Sequence, residues 1–202
     1  MEYSVFFRDF EDRDIDFVYK CKNDEKINSM VVGKYRSLSL DDAAKWVHGC
    51  MGDHETYKFW AICTKDNERR IIGWVSLSEI DRTNRSLRHY SIVLGDNEYN
   101  DGTIMFEAML FSLSYAFDVL DMHRVYGNCI SAHKITPHLL NAFGFIKEGV
   151  QRDAIIRNGR FYNVTDYAIL QSEFVSNRNN GFYDLDALTD RFVLSVKNSR
   201  KK

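Results

Sequence analysis

The segment Gly102-Thr103-Ile104-Met105 opens a long apolar run, Ile104 to Val119, and a helix starting there exposes unpaired backbone N–H groups. Those groups and the helix dipole favour an anion, to which the Thr103 hydroxyl could add a donor. The plain alternative is a capped helix start that binds nothing. Proton chemistry has separate candidates. Glu79 and Asp81 close one strand-like run, His89 lies near the start of the next, and His133 and His138 flank Pro137. Solvated hairpin-end charges are the plain reading of Glu79 and Asp81, and a hydrogen-bonded structural ring is that of any single histidine. Cys21, Cys50, Cys63 and Cys129 form no CxxC pair, and only His48 beside Cys50 brings a histidine near. Buried free thiols in a reducing compartment suit them better than a metal site or disulfides.

These residues must be held by elements that the pattern makes visible. Ser4-Val5-Phe6-Phe7 reads as a short strand, and Asp9 to Cys21 carries Ile15, Val18 and Tyr19 at helical spacing. Asn23 to Met30 reads as a second short helix. Ser39 is a good cap for a helix to about Met51, with Asp41 and Asp42 in its first turn. Tyr57–Cys63 and Arg70–Leu77 form a hairpin, and Leu87–Leu94 follows as a strand in which His89, Ser91 and Val93 share a face. The helix from Ile104 to Val119 is apolar almost all round and must be covered on several sides. Arg124–Ile130 is a strand, and Thr136–Phe143 a short helix with Pro137 in its first turn. Phe145–Ile156 and Phe161–Leu170 flank Asn158-Gly159, a strong hairpin signal. Val175 to Gly181 reads as a polar loop, and Asp184 to Val196 as an amphipathic helix carrying Leu185, Leu188, Phe192 and Val196.

That order is α/β with a mostly antiparallel sheet and one right-handed parallel crossover in the middle. At 202 residues the chain suits one domain with additions. Twenty-seven basic against 29 acidic residues leave a formal charge of -2, which argues against a dedicated nucleic-acid binder. No apolar run approaches the ~18 residues of a membrane span. The start Met1-Glu2-Tyr3-Ser4 lacks the features of a secretory leader, so a cytoplasmic protein is expected.

Several words are more specific: Ile72-Gly73-Trp74-Val75-Ser76-Leu77, Tyr90-Ser91-Ile92-Val93-Leu94, Phe143-Gly144-Phe145-Ile146-Lys147-Glu148-Gly149, and Asp166-Tyr167-Ala168-Ile169-Leu170. In this order of elements they resemble the GNAT acetyltransferase superfamily, on the branch holding spermidine N-acetyltransferases and ribosomal-protein N-terminal acetyltransferases. The resemblance implies a splayed, mixed, mostly antiparallel sheet of six to seven strands flanked by helices. It implies a GNAT-like domain over residues 1–174, with 175–202 as a C-terminal extension. The basic end of that extension is too short to argue for nucleic acid. Its helix would dock on its own domain, contact a second copy in a homodimer, or form a lid.

The resemblance also assigns roles. Acetyl-CoA is the cosubstrate, its pantetheine arm bonded to a strand edge at Ile92, Val93 and Leu94. Its pyrophosphate falls on Asn100-Asp101-Gly102-Thr103-Ile104-Met105, where the family pattern is poorly kept: Thr103 and Met105 replace small residues, and Asp101 adds a negative charge. The family's cofactor-contacting Asn is His133 here, and its Tyr acid is Leu140. His133, His138, Ser131 or water could replace that acid. Direct attack by a primary amine needs a base, and Glu79 or His89 is favoured. The acceptor would be a polyamine, amino sugar, peptide or other small amine, with no nucleic acid or membrane partner. The rival reading is a GNAT-fold module that has lost its chemistry and binds a ligand or partner.

Overall fold

The computed structural model describes residues 3–29, 31–32, 37–99 and 102–199; the side chains of Tyr90 and Asn97 are also outside the description. The expected positions Asn100 and Asp101 therefore lie outside the described residues.

Seven strands form one sheet in the order β1-β2-β3-β4-β5-β7-β6. They are β1 (Phe6–Arg8), β2 (Tyr57–Cys63), β3 (Ile71–Asp81), β4 (Ser86–Leu94), β5 (Arg124–Ile130), β6 (Ile146–Arg157) and β7 (Arg160–Leu170). All pairings are antiparallel except β4–β5, as the crossover reading requires. The helices are α1 (Ile15–Asn23), α2 (Glu25–Asn28), α3 (Leu40–Cys50), α4 (Thr103–Ser114), α5 (Thr136–Ala142), α6 (Gln171–Asn179) and α7 (Leu185–Ser199). A π-helical turn, Tyr115–Val119, ends the long apolar segment.

Local chemistry fixes the ends. Ser39 Oγ accepts from the N–H of Asp42 at 3.1 Å, starting α3. Asn158 and Gly159 take φ of 48° and 75°, the left-handed pair of a tight hairpin turn. The expected loop from Val175 to Gly181 is instead helical through Asn179. Its helix is set by a cap and a buried anchor. Glu173 accepts from the N–H of Leu170 at 2.9 Å, and buried Phe174 stacks on Phe117 at 4.9 Å.

Two cores lie on opposite faces of the sheet. One packs Val18, Val47 and Cys50 of α1 and α3 against Phe59, Ala61 and Trp74. The other joins Leu77, Leu87, Val125 and Ile169 to α4, α5 and α7. Helix α4 is buried along most of its length, as its all-round apolar surface demands. Among the described residues no helix is long and apolar enough to cross a membrane, and no metal-binding cluster occurs.

Candidate functional site

The parallel pair β4–β5 is short. Ser86, Leu87 and Arg88 pair with Arg124, Val125 and Tyr126, and no further pairing joins the two strands. Beyond that point β4 stays with β3 as far as Leu94, and β5 stays with β7 as far as Ile130. The strands thus diverge toward their C-terminal ends. A bulge marks the divergence: Ser76 pairs with Ser91 and Leu77 with His89, leaving Tyr90 as the extra residue. Gly127 stands there too; a Cβ on it would lie 3.2 Å from the His89 carbonyl oxygen.

Beyond Arg88, the β4 backbone groups that turn away from β3 have no strand partner among the described residues. The N–H of Gly95 donates to the carbonyl of Ile72, so Val93 also points its backbone at β3. By alternation Ile92 and Leu94 turn theirs into the opening. In the chain, β4 is followed by a short 3-10 turn, Asn97–Tyr99, and then by α4. Gly102 takes φ of 92°, a conformation that suits glycine. No acid stands in the first turn, and among the described residues nothing lies within 4 Å of where a Gly102 Cβ would be. Ile104 is buried, whereas Thr103 and Met105 are half-buried. Asp96 and Tyr99, on the approach to this turn, are tied to Arg70 at 2.8 and 3.4 Å.

Helix α5 begins differently. His133 Nδ1 accepts from the N–H groups of Ile135 and Thr136 at 3.1 and 3.0 Å. The ring therefore carries its proton on Nε2, and burial lowers its pKa. His133 does at this helix what an Asn or Asp cap does elsewhere. His138 bonds Ser195 of α7 at 2.8 Å and belongs to the α5–α7 contact. Leu140 is buried in the main core. The Ser131 hydroxyl lies 2.7 Å from Thr165 Oγ1.

The two expected bases part company. His89 points toward α4, with Nε2 2.9 Å from Ser112 Oγ. Ser112 donates its own hydroxyl proton to the Met109 carbonyl, so the ring N–H donates to Ser112. Burial pushes this imidazole down to about 4. Glu79 lies on the opposite face and is 54% exposed. It occupies a second bulge, where Glu79 and Ile80 face Leu87 alone, with φ of 51°. Its Oε2 accepts from the Tyr126 hydroxyl at 2.7 Å and its Oε1 from Arg88 Nη1 at 3.0 Å. Those bonds, Tyr126's first, hold the carboxyl below its ordinary range. Burial, then Glu79, pushes the Tyr126 phenol up to about 12. Asp81 caps the β3–β4 turn through the N–H groups of Thr83 and Asn84.

Arg88 and Tyr126 are parallel partners, and Arg88 Nη2 donates to Asn128 Oδ1 at 2.7 Å. Asn128 pairs with Asp166 on β7, whose two oxygens both accept from Gln151 Nε2 at 3.0 Å. Glu79, Arg88, Tyr126, Asn128 and Asp166 thus form a continuous polar floor across β3, β4, β5 and β7. At the hairpin end of β6, Arg157 donates to the carbonyl of Val31 at 2.6 Å, tying the hairpin to the loop after α2. Arg88, Tyr126, Asn128 and the structural setting of Asp166 were not picked out from the sequence. The available signal was Arg124, Tyr126 and Asn128 alternating as polar residues on an internal strand.

A family model described as the acetyltransferase (GNAT) domain matches residues 4–146. Spermidine N(1)-acetyltransferase of Vibrio cholerae is 25% identical over 178 residues, 87% of this chain and 98% of that protein. The ribosomal protein uS5-alanine N-acetyltransferase of Escherichia coli is 27% identical over 95 residues, 47% of this chain and 48% of that protein. The crystal structure of the Vibrio cholerae spermidine N-acetyltransferase with CoA and spermine superposes with a TM-score of 0.75. Its identity is 24%, covering 85% of this chain and 98% of that one.

Proposed function

This chain belongs to the GNAT acetyltransferase family, and from that premise we propose that it moves the acetyl group of acetyl-CoA to a primary amine of a polyamine. The observation that carries the reading is the opening between β4 and β5, which leaves the backbone edge at Ile92 and Leu94 without a strand partner among the described residues and is followed in the chain by the left-handed Gly102 turn that starts α4. These groups fit the cosubstrate. Strand-edge N–H and C=O groups match the amides of the pantetheine arm, and the open turn at Gly102 suits a pyrophosphate. The near full-length relative named for spermidine supports a polyamine acceptor. Four buried free thiols support a reducing, cytoplasmic setting.

The chemistry is direct attack. The amine nitrogen bonds to the thioester carbonyl carbon, the C–S bond breaks, and sulfur leaves as the CoA thiolate. The nitrogen must shed a proton, and we place its acceptor at Glu79, the carboxylate on the open face beside the divergence. Held low by Tyr126 and Arg88, it takes the proton as the C–N bond forms and the nitrogen grows acidic. His89, sealed under α4, lies on the wrong face for this role. A thiol with a reference pKa of about 8.5 leaves without strong acid help, so a leucine at 140 slows the step without forbidding it. The Nε2–H of His133 is the donor we assign to the departing sulfur.

Thiol release with spermidine, beside calorimetric titration with acetyl-CoA, tests the reading. Gly102→Asp places a carboxylate at the anion site and a side chain at a left-handed position; at ~3 kcal/mol together, acetyl-CoA binding should weaken about a hundredfold. A wild-type dissociation constant weaker than about 1 mM, only ~4 kcal/mol, or no release with any amine, would favour a binding module instead.

A further inference from the structure

We propose that Asp166 forms a second ammonium subsite, which holds the cationic amine of a di- or polyamine that is not being acetylated. The inference rests on the amine-acetylating function proposed above and names how the acceptor is chosen.

The argument is one of charge on the polar floor. Glu79 is paired with Arg88, and Glu148 with Arg124 at 2.5 Å, so those charges cancel. Asp166 is different. Both of its oxygens accept from the neutral amide of Gln151, and no cation among the described residues pairs with it. Of Glu79, Glu148 and Asp166, it is the one without a cation partner among the described residues.

Its placement suits a substrate's far end. Asn128 and Asp166 are cross-strand partners, which puts their side chains on one face. Asn128 in turn accepts from Arg88, the last β4 residue before the strands diverge. Asp166 therefore stands two strands from the β4 edge, on the face that carries Glu79. It is half-buried, so an ammonium reaching it loses only part of its water. Gln151 holds the carboxylate with its Nε2 and leaves lone pairs on both oxygens for further donors. A charge-assisted bond there needs no rearrangement of the protein. An aliphatic monoamine has nothing to offer this group, whereas a diamine does.

The experiment compares n-butylamine, 1,4-diaminobutane and spermidine as acceptors for wild type and Asp166→Asn, with kcat and KM separated. Asparagine preserves size and can still accept from Gln151, and thermal unfolding of both proteins checks that the fold is kept. The wild type should prefer the diamine and spermidine over the monoamine. In Asp166→Asn the ratio of kcat/KM for diamine over monoamine should fall about tenfold, through KM, and added salt should narrow the gap between the two proteins. An unchanged ratio, or a wild type without preference among the three amines, overturns the subsite while leaving amine acetylation standing. A wild type that acetylates none of them overturns the function itself, and the subsite with it.

Discussion

Arg88 and His89 are neighbours in sequence and sit on opposite faces of β4 in opposite circumstances. His89 is enclosed beneath α4, with its one N–H given to Ser112. Arg88 belongs to a half-open polar layer and shares its guanidinium between Glu79 and Asn128. On the α4 face Leu87, Val125 and Ile169 belong to the buried core. On the other face Tyr126, Asn128 and Asp166 of β5 and β7 stay half-buried rather than enclosed. The difference teaches that a titratable residue near a cleft counts by the face it takes. Spacing along the strand places both residues equally well; only alternation, read against what covers each face, tells them apart.

The first way to break this comparison is at Glu79. Glu79→Gln keeps the shape and removes the proton acceptor; a general base contributes 10²–10⁴-fold, so kcat/KM for spermidine should fall on the order of a hundredfold. Retention of the wild-type rate would remove the open face from the chemistry.

Next comes His89, where the effect belongs to stability. Its folded pKa is near 4 against 6.5 in the unfolded chain. Below pH 6.5 the unfolded chain binds a proton that the folded ring refuses. Stability should therefore fall as pH drops from 6.5 to 4 and level off below. The loss attributable to this ring is roughly 3 kcal/mol. His89→Gln, which can still donate to Ser112, should flatten that part of a urea-midpoint-against-pH profile. A slope that survives the substitution would mean the ring is not what titrates.

Tyr126→Phe sharpens the contrast more gently. It removes the first cause of Glu79's lowered pKa, so the acid limb of the rate profile should move to higher pH. Stability should change by only ~1 kcal/mol, the worth of one hydrogen bond. The smallest effect is expected at His133. His133→Ala loses the cap of α5 and about 1 kcal/mol, whereas His133→Asn should restore the stability. The asparagine variant, which lacks the Nε2–H, should recover stability but not the full rate; recovery of both would remove that donor from turnover.

Much of the fold was legible because its signals are local. Apolar and aromatic runs between polar turns marked β2, β4, β5 and β7, Asn158-Gly159 set the last hairpin, and the all-round apolar character of α4 foretold its burial; the expectation that His89, Ser91 and Val93 share a face fails at the bulge. The parallel partners followed from a strand–helix–strand order, and their divergence was what the family resemblance implied. Helix α6 was missed because its polar surface hides a single buried anchor, Phe174. The floor was missed for a different reason. Arg88 and Asn128 lie 40 residues apart, and Asn128 meets Asp166 only through the β5–β7 register. No local pattern marks such a meeting, and an extra residue at Tyr90 changes which face each β4 side chain takes.

The shortness of the β4–β5 pairing has a mechanical side. By strand pairing the sheet is two panels, β1 to β4 and β5 to β7-β6, fastened among the described residues by three residue pairs and by the Arg85 carbonyl, which accepts from the N–H groups of His123 and Arg124. The divergence that admits a ligand is also the seam along which the panels come apart. A pantetheine arm bonded to the bare edge at Ile92 and Leu94 would act as a stitch where protein stitches end. Occupancy then adds stability as RT ln(1 + [L]/Kd), ~2.7 kcal/mol at a hundredfold excess over Kd. The protection should be uneven. Amide exchange at Ile92 and Leu94 should slow on CoA binding, while amides inside the β6–β7 hairpin change little.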